Sequence, residues 1–239
     1  APDVYARMRY TSVEISPVLA ERQRRRVRAA SASHAERFSV LEGDATRAGT
    51  WGAPSSEACF VLGLEVLDNL PHDRVVRAGA DWQETVVLED GTGAWTERTQ
   101  PLADGLIAEC LRGHESLGEA ASARGFVSRL FASLAGGGGE VLFLPTAALA
   151  LLRTLAERRP MHRLVLADFD ALPEVVIEGG NAPLVAEQLP QGRTRDRASY
   201  LLPPGTADVL FPTDFELLRA LALGVTAATD ARILSTEQF

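Results

Sequence analysis

Apolar residues fall into short β-branched runs separated by stretches with helical spacing, and that alternation predicts the elements. Residues 9–16 (RYTSVEIS) are β-branched and end in polar positions, as a buried strand does. Ser16 followed by Pro17 marks a helix start, with serine as cap and proline at the first helical position. That helix continues through Leu19, Gln23 and Val27, with Arg22, Arg24, Arg25, Arg26 and Arg28 mostly on its solvated side. A second strand is expected over 37–42 (RFSVLE), closed by Gly43-Asp44. Residues 59–67 (CFVLGLEVL) are almost uninterruptedly apolar, the pattern of a central parallel strand covered on both faces, and the run breaks at Asp68-Asn69-Leu70-Pro71.

Residues 74–78 and 82–88 predict a hairpin around Gly79-Ala80-Asp81, followed by a polar, turn-rich stretch over 90–101. A helical segment is expected over 102–134, broken near Gly113 and Gly118 and ended by the four glycines at 136–139. Those glycines precede the strand at 140–144, whereas a phosphate-binding glycine loop follows a strand and opens a helix, so they predict a flexible connection. Residues 145–158 form an amphipathic helix, 162–167 a buried strand ending at Asp168, and 208–211 a short strand. Residues 170–199 are expected to be loop, and Thr213-Asp214 caps a last helix through Leu223. Strands alternating with helices predict an α/β fold with an open, mostly parallel sheet, organised as a single domain over 1–239 with an insert at about 76–139.

Composition narrows the function. The 239 residues carry 24 basic side chains, all arginine, against 32 acidic ones, for a net charge of −8. Such a chain lacks the broad basic footprint of a duplex-binding protein, and no nucleic-acid partner is expected. No apolar run approaches the ~18 residues of a membrane span. Cys59 and Cys110 are too few for a disulfide framework or a four-thiolate metal site, and the four histidines show no metal-ligand spacing, so no metal is expected. No GxSxG elbow is present.

In open α/β sheets ligands bind beyond the carboxyl ends of the strands, which directs attention to Glu14, Asp44, Glu65, Asp68 and Asp168. An acid at Glu14 can accept two hydrogen bonds from a ribose diol, and Asp44 at the next strand end can meet an adenine amino group. Glu65 and Asp68 interrupt a very apolar strand, where a carboxylate requires a partner or an opening to solvent. A cationic ligand, sulfonium or guanidinium, would supply that partner. His72 follows this acidic strand end and is the one histidine placed to act as a base.

Residues 12–23 (SVEIS-P-L-Q), 64–73 (LEVLDNLPHD) and 82–87 (WQETVV) resemble the MidA family of class I methyltransferases of mitochondria and bacteria. The blocks at 162–173 (HRLVLADFDALP), 181–185 (NAPLV) and 207–215 (ADVLFPTDF) are similar to its fungal or algal-type branch. The resemblance implies a Rossmann-like class I fold and S-adenosyl-L-methionine as cofactor. It also implies arginine methylation of a respiratory complex I subunit during assembly, with mitochondrial residence. Carried over, Glu14, Ser16, Gly43, Asp44 and Glu65 would hold the cofactor, and Glu65, Asp68 and Asn69 would be the catalytic candidates. The family's first strand and glycine-rich turn would stand upstream of Tyr10, so the fold is expected to be N-terminally incomplete. Two alternatives remain at this level. A non-catalytic assembly scaffold could keep the fold, and a nicotinamide oxidoreductase could use Glu14 for its ribose, although a lysine-free chain has no Ser/Tyr/Lys set.

Overall fold

The computed structural model describes residues 2–124, 139–226 and 228–238. The chain divides into two compact units, Ala1–Cys59 with Ala150–His162 and Phe60–Leu149 with Arg163–Phe239.

The first unit begins with a short helix, α1 (Pro2–Arg7), that the apolar pattern did not announce. Strands β1 (Tyr10–Glu14) and β2 (Phe38–Glu42) pair in parallel, Tyr10 opposite Phe38 and Glu14 opposite Glu42. Between them run α2 (Pro17–Ala30) and the single turn α3 (Ala32–Ala35). Ser16 caps α2 as expected, its hydroxyl accepting from Leu19 N–H at 3.4 Å, and Pro17 opens the first turn. Ala20 is fully buried, and Arg24 bridges to Glu42 and to the Val40 carbonyl (3.2 Å), so helix and strand are joined by packing and charge. Beyond β2 a 3-10 turn (Ala48–Trp51) meets the C-terminal part of a later helix, α5 (Thr146–Arg158). Thr154 Oγ1 donates to the Thr46 carbonyl at 2.7 Å, and the Arg159 guanidinium donates to the Trp51 carbonyl at 2.6 Å and stands over the indole ring.

In the second unit β3 (Cys59–Leu64) lies beside β8 (His162–Ala167). A four-stranded antiparallel sheet follows in the order β6-β5-β4-β7, from β4 (Asp73–Ala78), β5 (Asp81–Glu89), β6 (Trp95–Pro101) and β7 (Val141–Leu144). A third sheet, also antiparallel, places β9 (Leu184–Leu189) between β10 (Arg193–Asp196) and β11 (Ala207–Leu210). Helices α4 (Gly105–Arg124) and α6 (Phe215–Val225) pack on each other. Val75, Cys110, Leu144, Leu149, Val185 and Leu217 are at most 1% exposed, and Phe143, Ala182 and Phe211 form a further core cluster. Glu84 is buried with them and accepts from the Gln100 amide and from the N–H groups of Ala103 and Asp104, tying β5 to the start of α4.

Several expectations are corrected. The apolar run at 59–67 is a strand only through Leu64 and is not covered on both faces: Phe60, Leu62 and Leu64 are 70%, 60% and 64% exposed. Glu65 ends it by taking a left-handed backbone (φ 51°). The polar stretch at 90–101 contains β6, whose antiparallel pairing with β5 rests on backbone hydrogen bonds and not on apolar burial. The expected loop at 170–199 contains β9 and β10. Helix α4 passes through Gly113 and Gly118 without a break. At Gly113 a Cβ would stand 3.2 Å from Leu217 Cδ1 and 3.3 Å from Leu221 Cδ2, so this glycine permits close approach of α6. The rest of the predicted segment, 125–134, and Gly136 to Gly138 lie outside the described residues.

Candidate functional site

In the first unit the parallel pairing of β1 and β2 brings Glu14, Ser16, Gly43 and Asp44 to one edge. The Glu14 carboxylate is held from two sides: Oε1 accepts from Ser16 N–H at 2.9 Å and Oε2 from Gln23 Nε2 at 3.1 Å. Gln23 reaches it from the inward side of α2, and its own Oε1 is buried without a partner among the described residues. Gly43 N–H donates to the Glu14 carbonyl at 2.9 Å. Its φ of +150° and the 2.6 Å that would separate a Cβ from Thr50 Oγ1 leave room for glycine only. Asp44 Oδ1 accepts from the backbone N–H of Thr46 (2.9 Å) and from its hydroxyl (2.7 Å), and Oδ2 lies 3.4 Å from Arg47. Burial alone would raise the Asp44 carboxyl, but the Thr46 bonds and the Arg47 charge outweigh it and leave it below the usual range.

In the second unit the loop after β3 gathers Glu65, Asp68 and Asn69. Asp168, at the end of β8, organises it. Asp168 Oδ2 accepts from three consecutive backbone N–H groups, Val66 (3.0 Å), Leu67 (2.8 Å) and Asp68 (3.2 Å), while Oδ1 accepts from Phe169 N–H at 2.9 Å. This is an anion seated in a backbone nest, with the protein's own carboxylate as the anion. Asp68 is 5% exposed and accepts from Asn69 Nδ2 at 2.6 Å. Burial, then the neighbouring charge of Asp168 and that of Glu65, raise its carboxyl despite the Asn69 bonds. Glu65 is exposed, and its carboxylate has no hydrogen-bond partner among the described residues.

His72 adjoins this loop. Its ring stacks on Phe211 (centroids 4.2 Å apart, planes 8° from parallel), and Phe211 N–H donates to the Asp68 carbonyl at 2.8 Å. Nδ1 lies 3.0 Å from the Leu70 carbonyl and donates to it, which leaves Nε2 as the acceptor. Burial lowers its pKa to about 4, against the raising effect of the Leu70 bond, so the ring is neutral at pH 7.

Sequence reasoning selected the acids, Asp168 among them, and put Gln23 on the inward side of its helix, but did not give the bonds by which Gln23 and Asp168 support the site. Gln23 sits nine positions after Glu14, and helical spacing marks its inward side but not its bond to the Glu14 carboxylate. The Asp168 nest joins residues about a hundred positions apart and has no local signature. Among the described residues no group of three or more His, Cys, Asp or Glu side chains could hold a metal, and no helix is long and apolar enough to cross a membrane.

Two crystal structures from one superfamily of Burkholderia thailandensis share the fold. One, bound to S-adenosyl-homocysteine, has 22% identity and a TM-score of 0.57, with 91% of this chain and 48% of that chain covered. The other, in native form, has 22% identity and a TM-score of 0.56, with 91% of this chain and 50% of that chain covered. The chain therefore spans about half the length of either neighbour. No functionally curated protein is significantly similar in sequence. A family model described as "Putative S-adenosyl-L-methionine-dependent methyltransferase" matches residues 1–232. The α/β architecture is the class I methyltransferase fold, and with a family model matched over nearly its whole length the chain belongs to this methyltransferase family.

Proposed function

We propose that the protein is an S-adenosyl-L-methionine-dependent protein methyltransferase of the MidA type, acting on arginine of a respiratory complex I subunit. The observation that carries the cofactor reading is the Glu14 carboxylate, fixed at a strand end by Ser16 N–H and Gln23. Each of its oxygens has one protein hydrogen bond and keeps acceptor capacity, which suits the two hydroxyls of a ribose. Gly43 and Asp44 end the adjacent parallel strand and supply a close backbone and a second acceptor for the adenine side. The cofactor, when bound, contributes an electrophilic methyl on a sulfonium.

In the second unit Glu65 offers a carboxylate without a hydrogen-bond partner among the described residues, and Asp68 with Asn69 offers acceptors beside it. Carboxylates of this kind hold a guanidinium by charge-assisted hydrogen bonds and orient its nitrogen for attack. Arginine as the acceptor, a complex I subunit as the partner and mitochondrial residence rest on the sequence resemblance alone.

Calorimetric titration of S-adenosyl-L-methionine into the polypeptide of the complete reading frame tests the cofactor reading. Glu14→Ala should weaken binding by ~10- to 100-fold, the cost of charged hydrogen bonds worth about 1.5–3 kcal/mol. Unchanged affinity would remove Glu14 from the site. Absence of binding by the parent protein would favour a scaffold that kept the fold. The substrate reading is tested by mass spectrometry of respiratory-chain subunits from cells with and without the protein: loss of a methylated arginine supports it, and an unchanged methylarginine inventory refutes it.

A further inference from the structure

Helix α2 concentrates positive charge in a chain that is acidic as a whole. The first unit holds half of the chain's 24 arginines but a quarter of its 32 acids, and α2 itself carries five arginines against one acid, Glu21. Ala20 is buried and Gln23, Arg24 and Val27 are half-buried, which fixes the inward side of the helix. Arg22, Arg25 and Arg26, at spacings of three and four, are exposed on the opposite side, and Arg28 is exposed next to them. Elsewhere the arginines find acids: Arg24 bridges to Glu42, and Arg47, Arg74, Arg77, Arg195 and Arg219 each have a carboxylate within 3.5 Å. Arg22, Arg25, Arg26 and Arg28 have no such partner among the described residues.

The needs of the helix do not explain this face. Arg28, in the last turn, is favoured by the helix dipole, but Arg22, Arg25 and Arg26 stand before that turn. Like charges three or four positions apart weaken a helix, and 22 with 25, 22 with 26 and 25 with 28 are all such pairs. An anionic surface turns that repulsion into attraction. What shares the face narrows its nature. Val18, one turn before Arg22, is 76% exposed, and Leu19 is 45% exposed. A basic stripe with an apolar end suits a helix lying at a membrane interface, where guanidinium groups meet headgroup phosphates and apolar side chains reach the acyl boundary. A fluid layer of headgroups matches any spacing of the arginines, whereas an acidic protein would need carboxylates set at that same spacing. No aromatic side chain in α2 offers a nucleic-acid base a platform for stacking.

We propose that the exposed face of α2 docks on an anionic phospholipid bilayer. Arg22, Arg25, Arg26 and Arg28 bind headgroup phosphates, and Val18 and Leu19 rest at the acyl boundary. The inference is independent of the enzymatic reading, since a scaffold with this helix would dock in the same way.

The test is co-sedimentation of the intact protein with vesicles of phosphatidylcholine alone and of phosphatidylcholine with roughly one third phosphatidylglycerol. Binding is expected to the anionic vesicles only, and to be lost at high salt. The triple variant Arg22→Gln, Arg25→Gln, Arg26→Gln should bind ~100-fold more weakly. A control with the same net charge, Arg193→Gln, Arg219→Gln, Arg232→Gln, should bind like the parent. Circular dichroism checks that each variant keeps the parent fold, and if the triple variant does not, Arg25→Gln alone should weaken binding ~5-fold. The proposal is overturned if the parent ignores anionic vesicles, or if the α2 variant binds as the parent does. Equal loss in the control would mean that net charge acts and not this face, and would overturn it too. So would binding to polyuridylate or polyglutamate without binding to vesicles, which would assign the face to a nucleic acid or to an acidic protein.

Discussion

Asp168 shows how much one side chain can hold. Its Oδ2 gathers the N–H groups of Val66, Leu67 and Asp68, and without it three backbone donors in a tight loop lose their acceptor. Asp168→Ala is expected to destabilise the protein by about 3 kcal/mol, read as a shift in the urea midpoint at constant m-value. An unshifted midpoint would show that water replaces the carboxylate at no cost. His72 gives a pH signature of opposite character. Its pKa is lowered on folding, from the ordinary 6.5 to about 4, so its contribution to stability is full above the unfolded value and is lost as pH falls between them. The window is worth about 3 kcal/mol. In His72→Phe, which keeps an aromatic ring on Phe211, the stability of the parent relative to the variant should fall as pH is lowered from neutral toward 4. Parallel stability profiles for the two proteins would refute this assignment.

At the scale of elements, α2 and α4 illustrate different controls. The start of α2 is written locally: Ser16 caps it, Pro17 occupies the first turn, and Ser16→Ala should cost about 1 kcal/mol in chemical denaturation. The same serine's backbone N–H holds Glu14, a bond that the substitution keeps, so cofactor affinity should fall less than stability. Helix α4 is controlled from outside itself. Two glycines within it argue for a break, yet contact with Leu217 and Leu221 of α6 favours the helix and uses the space that Gly113 leaves. Gly113→Leu should therefore destabilise by about 2 kcal/mol despite leucine's better helix propensity. A rise in melting temperature would mean that the two helices separate at little cost.

For the molecule as a whole, ligand linkage offers a measurement independent of turnover. A protein that binds S-adenosyl-L-methionine only when folded gains about 2.7 kcal/mol at a hundred times Kd, and its melting temperature should rise with cofactor concentration. Glu14→Ala should reduce that rise. A melting temperature indifferent to the cofactor would contradict the proposed use of the Glu14 edge.

Local chemistry was sufficient for much of this protein. Strand and helix positions around Glu14, Asp44 and Asp168, the caps at Ser16 and Asp214, and the 74–88 hairpin all follow from spacing and turn residues that act within a few positions. The acids at the strand ends were legible for the same reason, since a carboxylate breaking an apolar run is visible without its partners. The tertiary structure alone decided the rest. The nest around Asp168, the Phe211 stack that keeps His72 neutral and the passage of α4 through Gly113 each join distant segments. Strands β6 and β10 likewise depend on partners that satisfy their backbones, and their polar side chains give no sign of that pairing. Strand β3 is the converse case: its apolar sequence predicts burial on both faces, and in the structure Phe60, Leu62 and Leu64 are exposed.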